Sequence, residues 1–432
     1  MSSTKLTIDA ELELLQRESF NYFLHWTNPA NGLVVDKTAP DFPASIAATG
    51  FALAAYPVAV ERGFMSRAMA LERTLAVLRF FWNSPQGPER DASGYQGFYY
   101  HFLDMQTGRR AWQCELSTVD SAFLLAGMLA AAAYFTVDSA DECEIRTLAD
   151  ALYRRVNWRW AQDGGATLTH GWKPERGFLP FRWEGYDEAL LLYVLALGSP
   201  TYPISEDSYA AWSSTYEWLH SYGYDYLYAG SLFTHQLSHM WIDFRGIQDA
   251  YMRDKRIDYF ENSRRATYVQ QQYAIDNPRK FKRYGEHCWG ITASDGPGPD
   301  TVMVDGIRRH FFGYLARGVP HGPDDGTVAP WAVVASLPFA PEIVLPAIDH
   351  FIYHIDLKSP DECGFEGTFN PTHPDRTKNA HGWVSPWRIG INQGPIVLMI
   401  ENYRSEMLWH MMSGCRYVTD GLRRAGFAGG WL

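Results

Sequence analysis

Hydrophobic residues recur along most of the chain with the three- and four-residue spacing of amphipathic helices. Residues 8–26 and 67–82 show this pattern with charged residues between the apolar ones. Residues 45–60 and 117–136 are almost wholly apolar, which predicts two buried helices, and Ser117 is a residue type that favours a helix N-cap. Further helices are predicted at 140–160, 186–197, 205–220, 246–275, 327–336, 341–354, 393–413 and 416–425.

Strand signals are few, and the loops between helices carry unusual chemistry. Residues 98–104, 110–116 and 165–172 are short strand candidates. Gly-, Pro- and Asp-rich loops also contain Trp, Phe, His and carboxylates, a mixture typical of functional loops. These loops are predicted at 84–97, 171–185, 292–305, 317–326 and 358–388.

The helical rhythm predicts an all-α fold in a single domain over residues 1–432. Buried helices alternate with amphipathic ones, which suits an (α/α)6 barrel with long loops and a few short strands. Periodicity alone does not separate that barrel from other helical folds. Strands do not alternate with helices, which disfavours an α/β fold, and no internal repeat indicates a solenoid.

The amino-acid composition limits the classes of molecule that the protein is expected to bind. The chain has 432 residues, 38 Lys plus Arg and 49 Asp plus Glu, giving a net charge of −11. This balance argues against nucleic acid or an anionic membrane as partner. Aromatic residues make up 15% of the chain, which fits either a densely packed helical core or a sugar cleft lined with flat rings.

The cysteines and the N-terminal sequence bear on compartment. The five cysteines are scattered without a CxxC pair, which fits neither a disulfide framework nor a zinc site. The first residues lack the apolar stretch of a secretion signal, and no apolar run has the length of a membrane span. We expect a soluble cytoplasmic protein, or a periplasmic one if an export signal was trimmed.

The densest candidate site is the acid cluster before the helix predicted at 186–197. Glu184 and Glu188, with Asp187 between them, stand beside Trp183 and Tyr186 in a Gly- and Pro-rich segment. One interpretation is helix capping, because carboxylates favour a helix N-terminus. The other is a general acid, because burial against aromatic rings raises the pKa of a carboxyl.

Asp120 is a second candidate, in the first turn of the apolar helix that Ser117 opens. It either interacts with the helix dipole or points into a polar cleft, because a carboxylate on such a helix needs a partner. A third candidate is the loop 284–299, where His287, Trp289 and Asp295 resemble a polar and stacking sugar subsite. An ordinary Asp-Gly turn is the alternative there.

The long segment 363–394 concentrates further candidates. A loop of this length inside a compact domain is usually functional or disordered, and its aromatic content argues against disorder. Glu366 is its candidate catalytic carboxylate. His373 and Asp375 also fall in this segment, and the residues predicted to bind the sugar are Asn370, Trp383, Trp387, Arg388, Asn392 and Gln393.

One spacing resembles a metal site. His235, His239 and Asp243 follow one another at intervals of four residues and would share a helix face. Without an HExxH motif, structural histidines or hydroxyl donors are the favoured interpretation. We therefore predict no metal and no organic cofactor, and no GxSxG motif supports a serine nucleophile.

Several motifs run in one order along more than half of the chain, from residue 117 to residue 409, and they resemble the glucoamylase-like domain family. Its best-characterised members are the bacterial β-1,2-glucanases of glycoside hydrolase family 144. The motifs are STVDSAFLLAG (117–127), GYDEALLLYVLALGSPTYPI (185–204), HQLSHMWIDFRGIQD (235–249), CWGITASDGPGP (288–299), DDGTVAPWAVVASLPFAPEIVLPAI (324–348) and GINQGPIVLMIENYRSEMLW (390–409).

The resemblance implies an (α/α)6 barrel that hydrolyses β-1,2-linked glucan, by inversion in the glucanases. It places the general acid on Glu188, with Glu184 in reserve, a substrate-side carboxylate on Asp120 and a sugar contact on Asp295. The family pattern before FNP reads GF-x-D-[AS]-FN, whereas here Gly367 takes the place of the aspartate, and Glu366 is the nearest acid.

That departure leaves three functions open. The first is a hydrolase of β-1,2-glucan or sophorose-type oligosaccharides, with carboxylic acid and base. The second is a transglycosylase of the same fold, in which a sugar replaces water as acceptor. The third is a glucan-binding protein that has lost its base. In each case the expected partner is a β-glucan or glucooligosaccharide.

Overall fold

Helices dominate the computed structural model, which describes residues 6–358 and 363–432. The α-helices of this part of the chain are α1 (Ile8–His25), α2 (Ile46–Glu61), α3 (Arg67–Asn83), α4 (Thr118–Tyr134), α5 (Ala140–Arg155), α6 (Leu190–Gly198), α7 (Glu206–Ser213), α8 (Ala250–Lys255), α9 (Tyr259–Asp276), α10 (Pro330–Ala335), α11 (Pro341–Tyr353), α12 (Gly390–Ser405), α13 (Met407–Ser413) and α14 (Arg416–Arg424).

The strands are short. They are β1 (Ala44–Ser45), β2 (Gly94–Tyr95), β3 (Phe98–Tyr100), β4 (Phe102–Leu103), β5 (Leu116–Ser117), β6 (Gly171–Lys173), β7 (Gly177–Phe178), β8 (Trp218–Ser221), β9 (Tyr224–Leu227), β10 (Ala293–Ser294), β11 (Asp300–Val304), β12 (Ile307–Phe311), β13 (Leu315–Ala316), β14 (Phe369–Asn370) and β15 (Trp383–Val384). Within the described residues, no helix is both long enough and apolar enough to cross a bilayer.

The chain divides into two compact units, each assembled from separate stretches of sequence. The first unit contains the described residues of Met1–His25, Trp218–Gln236 and Ser263–Arg404. The second contains Trp26–Glu217, Leu237–Asn262 and Ser405–Leu432. A single domain over residues 1–432 stays a prediction.

Helix α4 is central to the second unit, where it packs against α2, α5, α6 and α13. Its contact with α2 is close because two glycines face each other. A Cβ built on Gly127 would lie 2.0 Å from the Gly50 carbonyl oxygen, and one on Gly50 would lie 2.5 Å from the Phe123 carbonyl oxygen. The two helices predicted to be buried therefore touch backbone to backbone.

A small antiparallel sheet leads into α4. Its strand order is β2-β3-β5-β6-β7, with Tyr100 opposite Leu116 and Ser117 opposite Gly171. Ser117 ends β5 and, as predicted, caps α4 by accepting a hydrogen bond from the Asp120 N–H at 3.2 Å. The sheet thus fixes the direction in which the first turn of α4 presents its side chains.

The first unit is held together by buried polar contacts as well as by its core. Gln16 on α1 donates from Nε2 to the Val397 carbonyl and to the Glu401 carboxylate of α12, each at 3.0 Å. The hairpin β8–β9 packs on α9 through Tyr226. Arg317 and Asp325 form a fully buried ion pair at 2.8 Å that joins the loops around β13.

Several predicted helix boundaries were wrong. The helix predicted at 205–220 ends at Ser213, and residues 218–221 pair with β9 instead. The helices predicted at 246–275 and 393–413 are each divided in two, because Arg256 and Glu406 adopt left-handed backbone angles, with φ of 59° and 58°. The loop predicted at 292–305 includes β11, which pairs with β12.

Substituting Gly127 should test the close packing of α2 and α4. Gly127→Ala improves helix propensity but forces a methyl group into the Gly50 backbone, so we expect a loss of about 1–3 kcal/mol in the free energy of unfolding, measured in urea. Gly414→Ala is the matched control, because its Cβ would meet nothing closer than 3.5 Å. Equal stability of the two variants would contradict this packing.

Candidate active site

Glu188 lies immediately before α6, but other groups cap that helix. Asp187 accepts hydrogen bonds on Oδ1 from the Ala189 N–H at 3.0 Å and from Trp212 Nε1 at 3.1 Å. The Ser238 hydroxyl accepts the Leu191 N–H at 3.1 Å. The capping interpretation therefore fits Asp187, whereas the Glu188 side chain is not used to begin the helix.

The Glu188 carboxyl resists ionisation. Although the residue is partly exposed, burial of the carboxyl and, less strongly, the nearby negative charge of Asp120 raise its pKa to about 7. Burial and the neighbouring Glu188 also raise the pKa of Asp187. A carboxyl that titrates near neutrality can donate a proton at physiological pH, as the sequence indicated.

Asp120 belongs to a charged cluster at the start of α4. Its Oδ2 accepts a hydrogen bond from the Ser117 hydroxyl at 2.5 Å and lies 3.7 Å from Nε2 of His101. The other ring nitrogen of His101, Nδ1, lies 2.8 Å from Glu115 Oε1. The backbone N–H of Asp120 therefore donates to the Ser117 cap, whereas its carboxylate belongs to the cluster with His101.

The aromatic residues beside the acids are packed rather than open. Trp183 is 7% exposed, stacks on His170 with ring centroids 3.8 Å apart, and donates from Nε1 to Thr118 Oγ1 at 3.0 Å. Tyr186 packs against the rings of Tyr216 and Tyr259. Both rings therefore pack within the loop. His170 covers one face of the Trp183 ring, so a sugar cannot stack on that face.

Glu184, the reserve acid, stands in a different environment. It is exposed and accepts a hydrogen bond from the Thr167 hydroxyl at 3.0 Å. Its surroundings therefore favour Glu188 over Glu184 as proton donor.

In the first unit, the Glu366 carboxylate forms ion pairs with two cations of the long segment 363–394. Its Oε2 is 2.8 Å from Lys378 Nζ and 3.5 Å from the Arg388 guanidinium. Lys378 also donates to the Ser385 carbonyl at 3.1 Å. Both ion pairs use the same carboxylate oxygen, so Oε1 is left outside them.

Position 367 has no space for a side chain. A Cβ built on Gly367 would lie 2.5 Å from the Trp387 carbonyl oxygen and 3.3 Å from the Ser385 Cβ. An aspartate there would require the backbone of the loop to move. The departure from the family pattern is therefore matched by the local packing.

The predicted sugar contacts of this unit fall into two groups. Asn392 and Gln393, at the start of α12, are 4% and 2% exposed, and Asn392 Nδ2 and Gln393 Oε1 are buried without a hydrogen-bond partner in the described part of the chain. Such groups are costly unless a ligand or water satisfies them. Trp383 and Trp387 are partly exposed, and Asp295 accepts the Thr368 hydroxyl on its carbonyl at 2.8 Å.

Three predicted contacts are positioned for other tasks. Asn370 has no exposed surface: its Nδ2 donates to the Asp325 carbonyl at 3.1 Å, and its Oδ1 accepts two backbone N–H groups. Trp289 is fully buried, so its ring offers no face to a sugar. His287 lines a pocket of about 440 Å³ between α1 and α11, together with Glu11 and His350.

His373 and Asp375 organise the loop locally. The His373 N–H also donates to Asn370 Oδ1, at 3.0 Å, and Asp375 accepts the Thr377 N–H at 2.8 Å. The HQLSHMWID stretch does not form one helix: it contains two short 3-10 turns, Leu232–His235 and Leu237–Met240, so the four-residue spacing does not define a helix face. Among residues 6–358 and 363–432, no group of three or more His, Cys, Asp or Glu is arranged to hold a metal.

The sequence analysis missed His101, Glu115 and Lys378. The signal for the first two was available, since His101 lies within the strand predicted at 98–104 and Glu115 near the end of the strand predicted at 110–116. Pairing of β3 with β5 places them opposite each other. Nothing in the spacing indicated that Lys378 would reach Glu366 across the loop.

The pH dependence of stability should reveal the state of Glu188. Because its pKa of about 7 exceeds the ordinary 4.5, the folded state binds this proton more tightly, and the wild type loses stability as pH rises from 4.5 to 7. Glu188→Gln removes that loss, so relative to wild type it should gain up to about 3 kcal/mol between pH 5 and pH 8.

Urea unfolding at the two pH values measures this gain. Glu184→Gln is the control and should follow the wild type, because its carboxyl is exposed. If Glu188→Gln and wild type change in parallel with pH, the Glu188 carboxyl ionises normally and this description of the site is wrong.

Comparison with known proteins agrees with the fold and the motifs. The family model described as "Putative glucoamylase" matches residues 180–416. A "putative glucoamylase" of Bacteroides uniformis is 32% identical, each chain is covered in full, and the TM-score is 0.87. The endo-β-1,2-glucanase of Chitinophaga pinensis, solved with sophorotriose and glucose, is 26% identical over 99% of this chain and 100% of that one, with a TM-score of 0.86.

A curated relative is the exo β-1,2-glucooligosaccharide sophorohydrolase (non-reducing end) of Parabacteroides distasonis. It is 28% identical over 97% of this chain, which spans 58% of the relative's length. The structural likeness confirms the predicted fold class, an all-α helical barrel fold with few short strands. The matched family model and the Bacteroides uniformis structure together show that the chain belongs to the glucoamylase-like family.

Proposed function

We propose that this protein is a glycoside hydrolase that cleaves β-1,2-linked glucan or glucooligosaccharides, with Glu188 as the general acid. The observation that carries the proposal is the Glu188 carboxyl, whose pKa of about 7 lets it hold a proton at neutral pH. The β-1,2 linkage is inferred from the activities of the Parabacteroides and Chitinophaga relatives.

The chemistry follows from the two kinds of carboxyl group. Glu188 donates its proton to the glycosidic oxygen as the bond to C1 lengthens and positive charge develops on the sugar ring. Asp120, partly exposed at the start of α4, accepts hydrogen bonds from sugar hydroxyls and stabilises that charge. Neither role requires a metal or an organic cofactor.

The second catalytic carboxylate is proposed to be Glu366. The ion pairs to Lys378 and Arg388 hold its Oε2, and Oε1 is the oxygen left to accept a proton from the attacking water. In this role Glu366 replaces the aspartate that Gly367 displaces.

Sugar recognition in the first unit is assigned to the start of α12 and the loop before it. The unmatched amide atoms of Asn392 and Gln393 suit hydroxyl groups, which both donate and accept hydrogen bonds. Trp383 and Trp387 are partly exposed and can stack on a sugar ring. Arg388 lies 3.5 Å from the Glu366 carboxylate and orients it.

A transglycosylase is the second candidate, because the family's aspartate is missing and packing closes its position. If Glu366 cannot activate water, a sugar hydroxyl bound nearby becomes the better acceptor. The same Glu188 would still protonate the departing sugar oxygen. The two candidates differ only in the acceptor, and so in the products.

Glu188→Gln should keep the fold and lower kcat/KM on β-1,2-glucooligosaccharides by about 10²- to 10⁴-fold, because Gln cannot donate the proton. The wild-type rate should fall on the alkaline side near pH 7, where Glu188 ionises. Initial rates of sugar release measure both, and Glu184→Gln should retain most activity. A Glu188→Gln variant as active as the wild type would reject the assigned acid.

Product analysis should separate hydrolysis from transfer. With sophoro-oligosaccharides in water, a hydrolase yields a steady increase in reducing ends, whereas a transglycosylase yields longer and shorter oligosaccharides at nearly constant reducing ends. We expect the increase, with the anomer read by NMR at early times. Redistribution without new reducing ends would favour the transglycosylase, and no product from any β-glucan would favour a binding protein.

A further inference from the structure

The charged cluster beside Asp120 contains a residue with no role in the proposal above. His101 follows β3, and its backbone N–H donates to the Glu115 carbonyl at 2.9 Å. Its ring lies flat on Phe102, with centroids 4.0 Å apart and planes within 12°. Backbone pairing and stacking therefore fix both the position and the plane of the imidazole.

The two ring nitrogens face carboxylates on opposite sides. Nδ1 lies 2.8 Å from Glu115 Oε1, and Nε2 lies 3.7 Å from Asp120 Oδ2. The Ser117 hydroxyl holds that same Asp120 oxygen at 2.5 Å. A cation between two anions satisfies all three groups, so the geometry calls for an imidazolium rather than a neutral ring.

We propose that His101 is a positioning residue that, as an imidazolium, orients the Asp120 carboxylate beside Glu188, a role that rests on the proposed function of this site. It does not touch the reacting atoms and acts through Asp120. The charges of the cluster therefore alternate. The His101 cation lies between the Glu115 and Asp120 anions, and the protonated Glu188 follows Asp120.

The groups that face the ring support this protonation state. Burial opposes charging of His101, but Asp120, Glu115 and the more distant Asp36 raise its pKa to about 9. Burial likewise opposes ionisation of Glu115, yet His101 and Lys173 lower its pKa to about 2. Both members of the pair are therefore charged through the neutral range.

Removing the imidazolium should shift the pH profile of the enzyme. Without its positive charge, the Asp120 charge acts on Glu188 uncompensated, and Glu188 holds its proton to higher pH. We expect His101→Gln to move the alkaline limb of the kcat/KM profile to higher pH, by about one unit or more. His101→Lys, which returns a cation to this position, should move the profile back toward the wild type.

Two controls separate this role from a purely structural one. His220→Gln removes an exposed histidine that pairs with Asp225 at 2.8 Å, and its profile should match the wild type. Glu115→Gln removes one of the two anions that face the ring and should lower the pKa of His101. Should His101→Gln fail to fold, the His101 ring titration in Glu115→Gln carries the test. A wild-type alkaline limb in folded His101→Gln, or a wild-type ring titration in Glu115→Gln, would overturn the proposal.

The protonation of His101 can also be measured without substrate. The rate at which the imidazole Cε1 hydrogen exchanges with deuterium, read by mass spectrometry, titrates with the ring. We expect a midpoint near 9, and a midpoint at or below the ordinary 6.5 would overturn the proposal. If the wild type cleaves no β-1,2-glucan, the proposed function fails, and this midpoint still decides whether His101 is an imidazolium.

Discussion

Withdrawing a carboxyl group from water beside a second carboxylate is costly for its ionised form, and the proposed chemistry depends on that cost. Glu188 meets both conditions: its carboxyl is shielded, and Asp120 adds negative charge nearby. The fold does not need the Glu188 carboxylate in its ionised form, because other groups bind the backbone N–H groups near it. Asp187 and Ser238 satisfy the start of α6, so the Glu188 side chain is free to hold a proton.

In the first unit, two carboxylates form ion pairs instead of holding a proton. Asp325 pairs with Arg317 inside the core, and Glu366 pairs with Lys378 and Arg388 in the long loop. These pairs hold irregular backbone in place where no regular sheet or helix could. The loop that lacks regular structure can therefore still present Trp383, Trp387 and the start of α12 in defined positions.

Much of the fold could be predicted from sequence, because hydrophobic periodicity records burial directly. The two apolar helices, the Ser117 cap and the mostly helical class follow from it. The helix breaks at Arg256 and Glu406 could not be predicted, because a charged residue in the left-handed backbone region is not recognisable from its residue type.

At the candidate site, Glu188 was identifiable from its setting and its motif. The full burial of Trp289 and Asn370 was not predictable, because burial within a glycine-rich loop depends on tertiary structure. His101 was missed although it lies in a predicted strand, because its contacts with Glu115 and with Asp120 of α4 arise only in the tertiary structure.

The central claim is that Glu188 keeps its proton near neutral pH. Infrared difference spectra between wild type and Glu188→Gln, recorded over a pH series, isolate the carbonyl band of this one carboxylic acid. The account predicts that the band persists through pH 6 and disappears with a midpoint near 7. Loss of the band with a midpoint near the ordinary 4.5 would contradict it.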